Sequence, residues 1–248
     1  MTKDGKEIDE FRKSYKLTPG CRVELSGIRG PVDIECHDTD EAQVHILRRA
    51  ADRECLNRGE VTVQQAAETL IVRGTEAGRV TYQVALKLPR RIALAVGSVK
   101  GPVHIGAVDG PVTVKSVNGP CHVAGANGAL TFHSVTGGVT VGQLKGGLNV
   151  YSVSGRVSAG IVALDENGIH VKSISGLVEL LFENKVDAEV NIEKVSGKID
   201  VQLEGATRNG GKKLSSAHVI VGQGTAPVSI SSVSGLVRIT QKGFARKV

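Results

Sequence analysis

The fold is decided by "SVNGPCHVAGANGALTFHSVTG", residues 116–137, which opens and closes on one phrase: Ser-Val-x-Gly returns after eighteen residues, with Gly128 midway. From Gly101 the glycines fall at 110, 119, 128, 137, 146 and 155, nine residues apart each time. In each unit an apolar residue stands two before the glycine and two more stand two and four after it, as Val99, Val103 and Ile105 do around Gly101. The residues between are polar or small. That is the alternation of a strand, whose side chains point to opposite faces in turn, broken at each glycine by a turn that takes a positive φ. A helix is excluded, because a glycine at every ninth position, each costing about 1 kcal/mol in a helix interior, would dissolve it.

The phrase recurs from residues 98, 116, 134, 152, 173 and 232, with Lys-Val-Ser-Gly from 194. The early intervals are 18 residues and the later ones stretch to 21 or more, so extra residues must bulge outward at the bends. A fixed period of this kind predicts an all-β, single-stack β-solenoid (β-helix). Its coils hold roughly 18 residues in two short strands each, successive coils lie about 4.8 Å apart, and the stack shares one core. The predicted inward set is Val99, Val103, Ile105, Val108, Val112, Val114, Val117, Cys121, Val123, Leu130, Phe132, Val135, Val139, Val141, Leu148, Val150 and Val153. Cys121 takes the place that Val103 fills one coil earlier, which makes it a buried free thiol rather than half of a bridge.

Outside this region the pattern is less regular. Residues 1–14 read as a polar tail, 15–90 as strands of the first coils with a cap, and 91–248 as the regular solenoid, all one continuous domain. "CRVELSGIRGPVDIEC" (21–36) already carries the motif, since Gly30-Pro31-Val32-Asp33-Ile34 matches Gly101-Pro102-Val103-His104-Ile105. "AQVHIL" (42–47), "EVTVQQ" (60–65), "ETLIVRG" (68–74) and "RVTYQVALKLP" (79–89) read as longer strands, and "RRAADRECLNRG" (48–59) as a loop with one helical turn. A cap is physically required, because an open solenoid end exposes unpaired backbone groups. The basic end "KGFARKV" (242–248) suits the opposite terminus, and 204–217 reads as the largest irregular loop and the expected mobile segment.

Apolar residues make up 40% of the 248, yet aromatics only 3% with no Trp, so Val, Ile, Leu and Ala must build the core. The 31 glycines exceed the usual share of about 7% and fit a fold that turns often. A net charge of +6 is spread along the chain without interleaved aromatics, which argues against a nucleic-acid partner. No apolar run is long enough to span a bilayer, and the start "MTKDGKEIDEFRKSYKL" is too polar for a signal peptide. The cysteines at 21, 36, 55 and 121 form no C-x-x-C pair, so the spacing of a structural zinc site is missing. Three disulfide pairings are arithmetically open, and the sequence does not set the redox state of Cys21, Cys36 or Cys55.

Candidate chemistry is sparse. His104 and His122 both stand three after their glycine, on outward positions one coil apart, and form the one pair suited to sharing a metal. The same column continues with Thr140 and Ser158, poor ligands, so the pair reads as surface decoration and no cofactor or metal is assigned. A second column, Lys115, His133, Tyr151 and Lys172, offers cations and rings that could meet an acidic sugar, though a solvated ladder is the preferred reading. Asn118, Thr136, Ser154 and Ser175 form a polar column at the corners. "HDTDE" (37–41) groups Asp38, Asp40 and Glu41 at a turn, where Asp bonds its own backbone. "GKKLSS" around Lys212 and Lys213 lacks the spacing and the helix of a phosphate loop.

The entry "FRKSYKLTPGCRVELSGIRGPVDIECHDTDEAQVHI", then "YQVALKLPRRIAL" leading into "VGSVKGPVHI", then the chain of Ser-Val-x-Gly turns together resemble the bacterial "putative adhesin" β-solenoid family over roughly residues 11–242. The resemblance implies an exported or envelope-attached all-β stack and carries over no catalytic residues. The expected function is a non-enzymatic scaffold or surface- and partner-binding module with a protein or cell-surface glycan partner, monomeric or weakly oligomeric. A polymer-forming element and a carbohydrate-active enzyme are the alternatives. The enzyme would want paired carboxylates, or a Lys or Arg base beside acids, lining one groove, and the outward positions of the regular coils are instead His, Thr, Asn, Ser and few acids.

Overall fold

The structure, a computed structural model, describes residues 2–3, 6–75, 79–209 and 215–243. The described residues are all-β apart from one short helix, and the backbone divides into two compact units, Met1–Val123 and Ala124–Val248.

The first unit contains β1 (Thr2–Lys3), β2 (Lys6–Lys16), β3 (Arg22–Arg29), β4 (Val32–His37), β5 (Glu41–Ala50), α1 (Arg53–Arg58), β6 (Val61–Ala66), β7 (Thr69–Gly74), β8 (Thr81–Pro89), β9 (Ala93–Lys100), β10 (Val103–Val108) and β11 (Val112–Asn118), and β12 (Cys121–Asn127) begins in it. One run of parallel strands is β7–β3–β9–β11, and a second is β8–β4–β10. Antiparallel strands extend both runs: β6 joins β7, and β5 joins β8 with β2 beyond it. The motif match of the sequence sets the register, with Val32 opposite Val103, Asp33 opposite His104 and Ile34 opposite Ile105. The helical turn expected within 48–59 is α1, whose N-cap Asp52 accepts a hydrogen bond from the Cys55 N–H at 2.6 Å and which buries Leu56.

The expected polar tail is instead mostly strand. β2 pairs along its whole length with β5, from Glu7 opposite Ala50 to Lys16 opposite Glu41. Its backbone ladder holds it, so few apolar side chains are needed, and only Tyr15 is deeply buried.

The second unit contains β13 (Leu130–Lys145), β14 (Leu148–Ala163), β15 (Ile169–Phe182), β16 (Ala188–Glu193), β17 (Ser196–Gln202), β18 (Thr207–Asn209), β19 (Ala217–Val221) and β20 (Ala226–Gln241). β13, β14, β15 and β20 pair in parallel, so that Val139, Val157, Val178 and Val237 stand in one row. Two expectations are corrected. Strands were to be short and broken at each glycine, yet β13, β14 and β20 run 16 residues straight through Gly137, Gly155 and Gly235. The difference lies one residue on. In the first unit Pro102 and Pro120 follow the glycine of the phrase and have no N–H to give the ladder, whereas Gly138, Arg156 and Leu236 have one.

Repeats were also to stack in chain order. Instead β20, last in the chain, pairs with β15 on one side and with both β16 and β17 on the other. β20 offers an unbroken partner to β15, whereas β16 and β17 are separated at Lys194, whose φ of 54° turns the chain. The loop expected at 204–217 is partly β18, which pairs antiparallel with β19 as β19 does with β16. Residues 210–214, including Lys212 and Lys213, and the end of the basic terminus lie outside the described residues.

Every residue of the predicted inward set is buried, at 3% exposure or less. Tyr82 and Phe132 are the largest fully buried side chains, and Tyr82 donates its hydroxyl hydrogen to the Thr75 carbonyl at 2.8 Å. The four cysteines are free thiols, Cys21, Cys36 and Cys121 buried. Burial pushes the Cys121 thiol up to about 12 and, as the largest influence, Cys36 up to about 11.

Two predictions follow from this packing. A Cβ at Gly155 (φ 128°) would overlap the carbonyl oxygen of Gly137, so Gly155→Ala should cost at least about 2 kcal/mol, about 4–8 °C in Tm. Gly205→Ala, also at positive φ (73°) but with no atom within 4 Å of its Cβ, should lose about half of that in the same thermal scan. The raised Cys121 thiol keeps its proton in the folded state to higher pH than in the unfolded chain, so its contribution is complete below about pH 9 and drains away towards pH 12. The Tm of the parent should therefore fall more steeply over that window than the Tm of Cys121→Val, and parallel curves would contradict the burial assigned to it.

Candidate functional site

One candidate lies on the outer surface of β3–β9–β11. Alternation sends Leu94 and Val96 of β9 into the core and leaves Ala93, Ala95 and Gly97 outside. In register on one flank stand Arg22, Glu24 and Ser26 of β3, and on the other Thr113 and Lys115 of β11 with Pro111 before them. Longer side chains thus rise on both sides of a floor of small ones, leaving a groove of about 450 Å3. The four steps from Ala93 to Gly97 make it about 13 Å long, and the flanking strands are two spacings, about 10 Å, apart. The Arg22 Nε donates to Glu24 Oε1 at 2.6 Å, which ties two wall groups together. Arg73 of β7 stands opposite Ser26, one strand further out.

A wider depression of about 600 Å3 lies over β2–β5–β8, among Arg12, Ser14, Gln43, His45, Ala85 and Lys87. Three of its basic groups are met by carboxylates: Glu10 takes hydrogen bonds from Arg12 and from His45 (2.8 Å), and Glu35 lies 3.8 Å from Lys87, while Lys13 sits over the Tyr15 ring, 5.0 Å from its centroid. The Arg12 guanidinium, then His45, hold the Glu10 carboxyl below the usual range.

His104 and His122 are brought together as expected, both exposed, but their ring centroids are 5.9 Å apart and tilted by 52°. Sequence reasoning missed Asp33, which stands next to His104 in the same row. Its signal was the match of Gly30–Ile34 to Gly101–Ile105. Among the described residues no three His, Cys, Asp or Glu side chains gather into a metal-holding group. In the second unit His133 and Tyr151 stack face to face at 4.9 Å and 7°, with Lys172 next in register, so the ring faces are turned along the row rather than outward. Lys115 lines the groove instead. Thr136, Ser154 and Ser175 line up in register, whereas Asn118 stands beside Lys100 in the first unit. The "HDTDE" acids do not converge: Asp38 faces Arg90 at 3.4 Å and Asp40 faces Lys16 at 3.8 Å.

Among the described residues no helix is long and apolar enough to cross a membrane. No family model and no curated protein matches the chain. It is similar to several solved bacterial structures. One is a "putative cell adhesion protein" from Clostridium sporogenes ATCC 15579, 13% identical, covering 95% of this chain and 100% of that one with a TM-score of 0.32. Another is a "putative adhesin" from Parabacteroides distasonis ATCC 8503, with 12% identity, coverage of 96% and 98% and a TM-score of 0.39. A third is a "putative adhesin" from Bacteroides fragilis NCTC 9343, with 10% identity, coverage of 93% and 97% and a TM-score of 0.40.

Two exposed imidazoles without a third ligand hold divalent metal weakly. Equimolar Zn2+ should leave the Tm unchanged, and His104→Ala should shift stability by less than about 0.5 kcal/mol in denaturant titration.

Proposed function

We propose that this chain is a non-enzymatic β-solenoid that binds a partner or a surface outside the cytoplasm. The parallel, in-register rows with an 18-residue offset between β13 and β14 support the solenoid reading, since each row repeats one position of the coil. The groove over β9 carries the binding reading. It is a shaped recess built from three strands whose walls are polar and charged while its floor is small. The side chains around it are suited to holding a ligand, with one carboxylate, Glu24, already paired to Arg22, and no second acid in the lining to act with it as a catalytic pair. The location outside the cytoplasm rests on the family resemblance of the sequence.

The reading is tested by incubating the purified chain with bacterial envelope fractions and measuring retention after washing. Saturable retention that the unlabelled chain competes away is the expected result. No retention at low or high salt would overturn it, and turnover of an offered polysaccharide would overturn its non-enzymatic half.

A further inference from the structure

We infer that the groove over β9 holds a linear acidic oligosaccharide of the uronic-acid type, an assignment that rests on the surface-binding reading above and names its ligand. The backbone of β9 is paired on both sides, to β3 and to β11, so no edge is open for a peptide to add as a further strand. Recognition therefore falls to side chains. Those present are hydroxyls (Ser26, Thr113), a guanidinium tied to a carboxylate (Arg22 with Glu24) and an ammonium (Lys115). This set hydrogen-bonds a hydroxyl-rich chain, and the small apolar groups of the lining, Ala93, Ala95 and Pro111, meet the C–H faces of its rings.

The charge has a direction. Arg73, Ser26, Gly97 and Lys115 form one row across the groove, and among the described residues no carboxylate pairs with Arg73 or Lys115. Glu24, the carboxylate of the lining, is occupied by Arg22. Lys115 and the Ser26 hydroxyl thus line the Gly97 end, suited to a sugar carboxylate, with Arg73 one strand beyond the wall adding to the positive charge there, while the rest of the floor takes neutral rings.

Gly97 itself points the same way. A Cβ there would meet only the Lys115 carbonyl oxygen at 3.7 Å, an ordinary contact. The corner glycines, by contrast, have no room for a Cβ. Packing does not demand glycine at 97, and what its missing side chain provides is the depth of the groove beside Lys115.

The test is calorimetric titration of the full chain with an oligogalacturonate of defined length, a neutral malto-oligosaccharide and poly-glutamate, at low and high salt. Oligogalacturonate should bind, more weakly as salt screens the cations, and the other two should not. Lys115→Glu should weaken binding at least tenfold. Ala95→Tyr, which fills the floor with a residue that strands accept and adds no charge, should abolish it, with the Tm of both variants near that of the parent. No binding of oligogalacturonate, binding that survives Ala95→Tyr, or equal binding of poly-glutamate would each overturn the assignment. Envelope retention measured on the same parent protein separates the two readings: retention without oligogalacturonate binding sinks the ligand alone, and loss of both sinks the surface-binding reading with it.

Discussion

Neighbouring parallel strands approach so closely at their positive-φ glycines that no side chain fits between them, and the rest of the structure depends on that approach. In the second unit Gly137, Gly155, Gly176 and Gly235 stand opposite one another in successive strands, all with φ between 128° and 138°. In the first unit a Cβ on Gly119 would overlap the carbonyl of Gly101, and one on Gly101 that of Gly30. A slip of one residue would place a bulkier residue in such a column and turn every inward valine out to solvent. Register is therefore specified twice, once by burial and once by the absence of a Cβ, and parallel strands otherwise free to slide are fixed.

Fixed register has a functional consequence. Outward residues become columns with a predictable spacing, so the surface is a grid on which depth and charge are set one position at a time. The groove arises where one strand carries Ala93, Ala95 and Gly97 while both neighbours carry longer chains at the same heights. The strand beneath, β9, is paired on both sides, which lets a recess exist over a hydrogen-bonded backbone floor.

How much of this the sequence carried depends on distance along the chain. The inward set from Val99 to Val153, the burial of Cys121 and the pairing of Gly30 with Gly101 are periodic facts, and periodicity is local. The strand Lys6–Lys16 escaped because a backbone ladder, rather than an apolar pattern, holds it against β5. The groove escaped for a different reason. The small alternation at 93–97 is visible, and the match of Gly30 to Gly101 has the same offset as the pairing of Arg22 with Ala93, but no glycine phrase marks 22–26, so the wall is placed only by the parallel pairing of β3 with β9. Neither the spacing of His104 and His122 nor their outward direction revealed the tilt that separates their rings.

The position of β20 shows why period alone could not order the repeats, and which residues could have. Glu179 of β15 and Asp200 of β17 occupy the same row, since both stand opposite Arg238 of β20. Stacked in chain order, β15 against β17, these two carboxylates would face each other directly, an arrangement that destabilises a sheet. With β20 between them, Arg238 lies 3.2 Å from Glu179 and 3.7 Å from Asp200, and Arg156 approaches Glu179 from the far side at 3.9 Å. Exposed pairs of this kind add little stability individually. Their effect is on choice: both orders bury similar aliphatic side chains, and the charges penalise one of them. A strand from the end of the chain is thereby admitted between two earlier ones, its place set by what the wrong neighbour would have opposed.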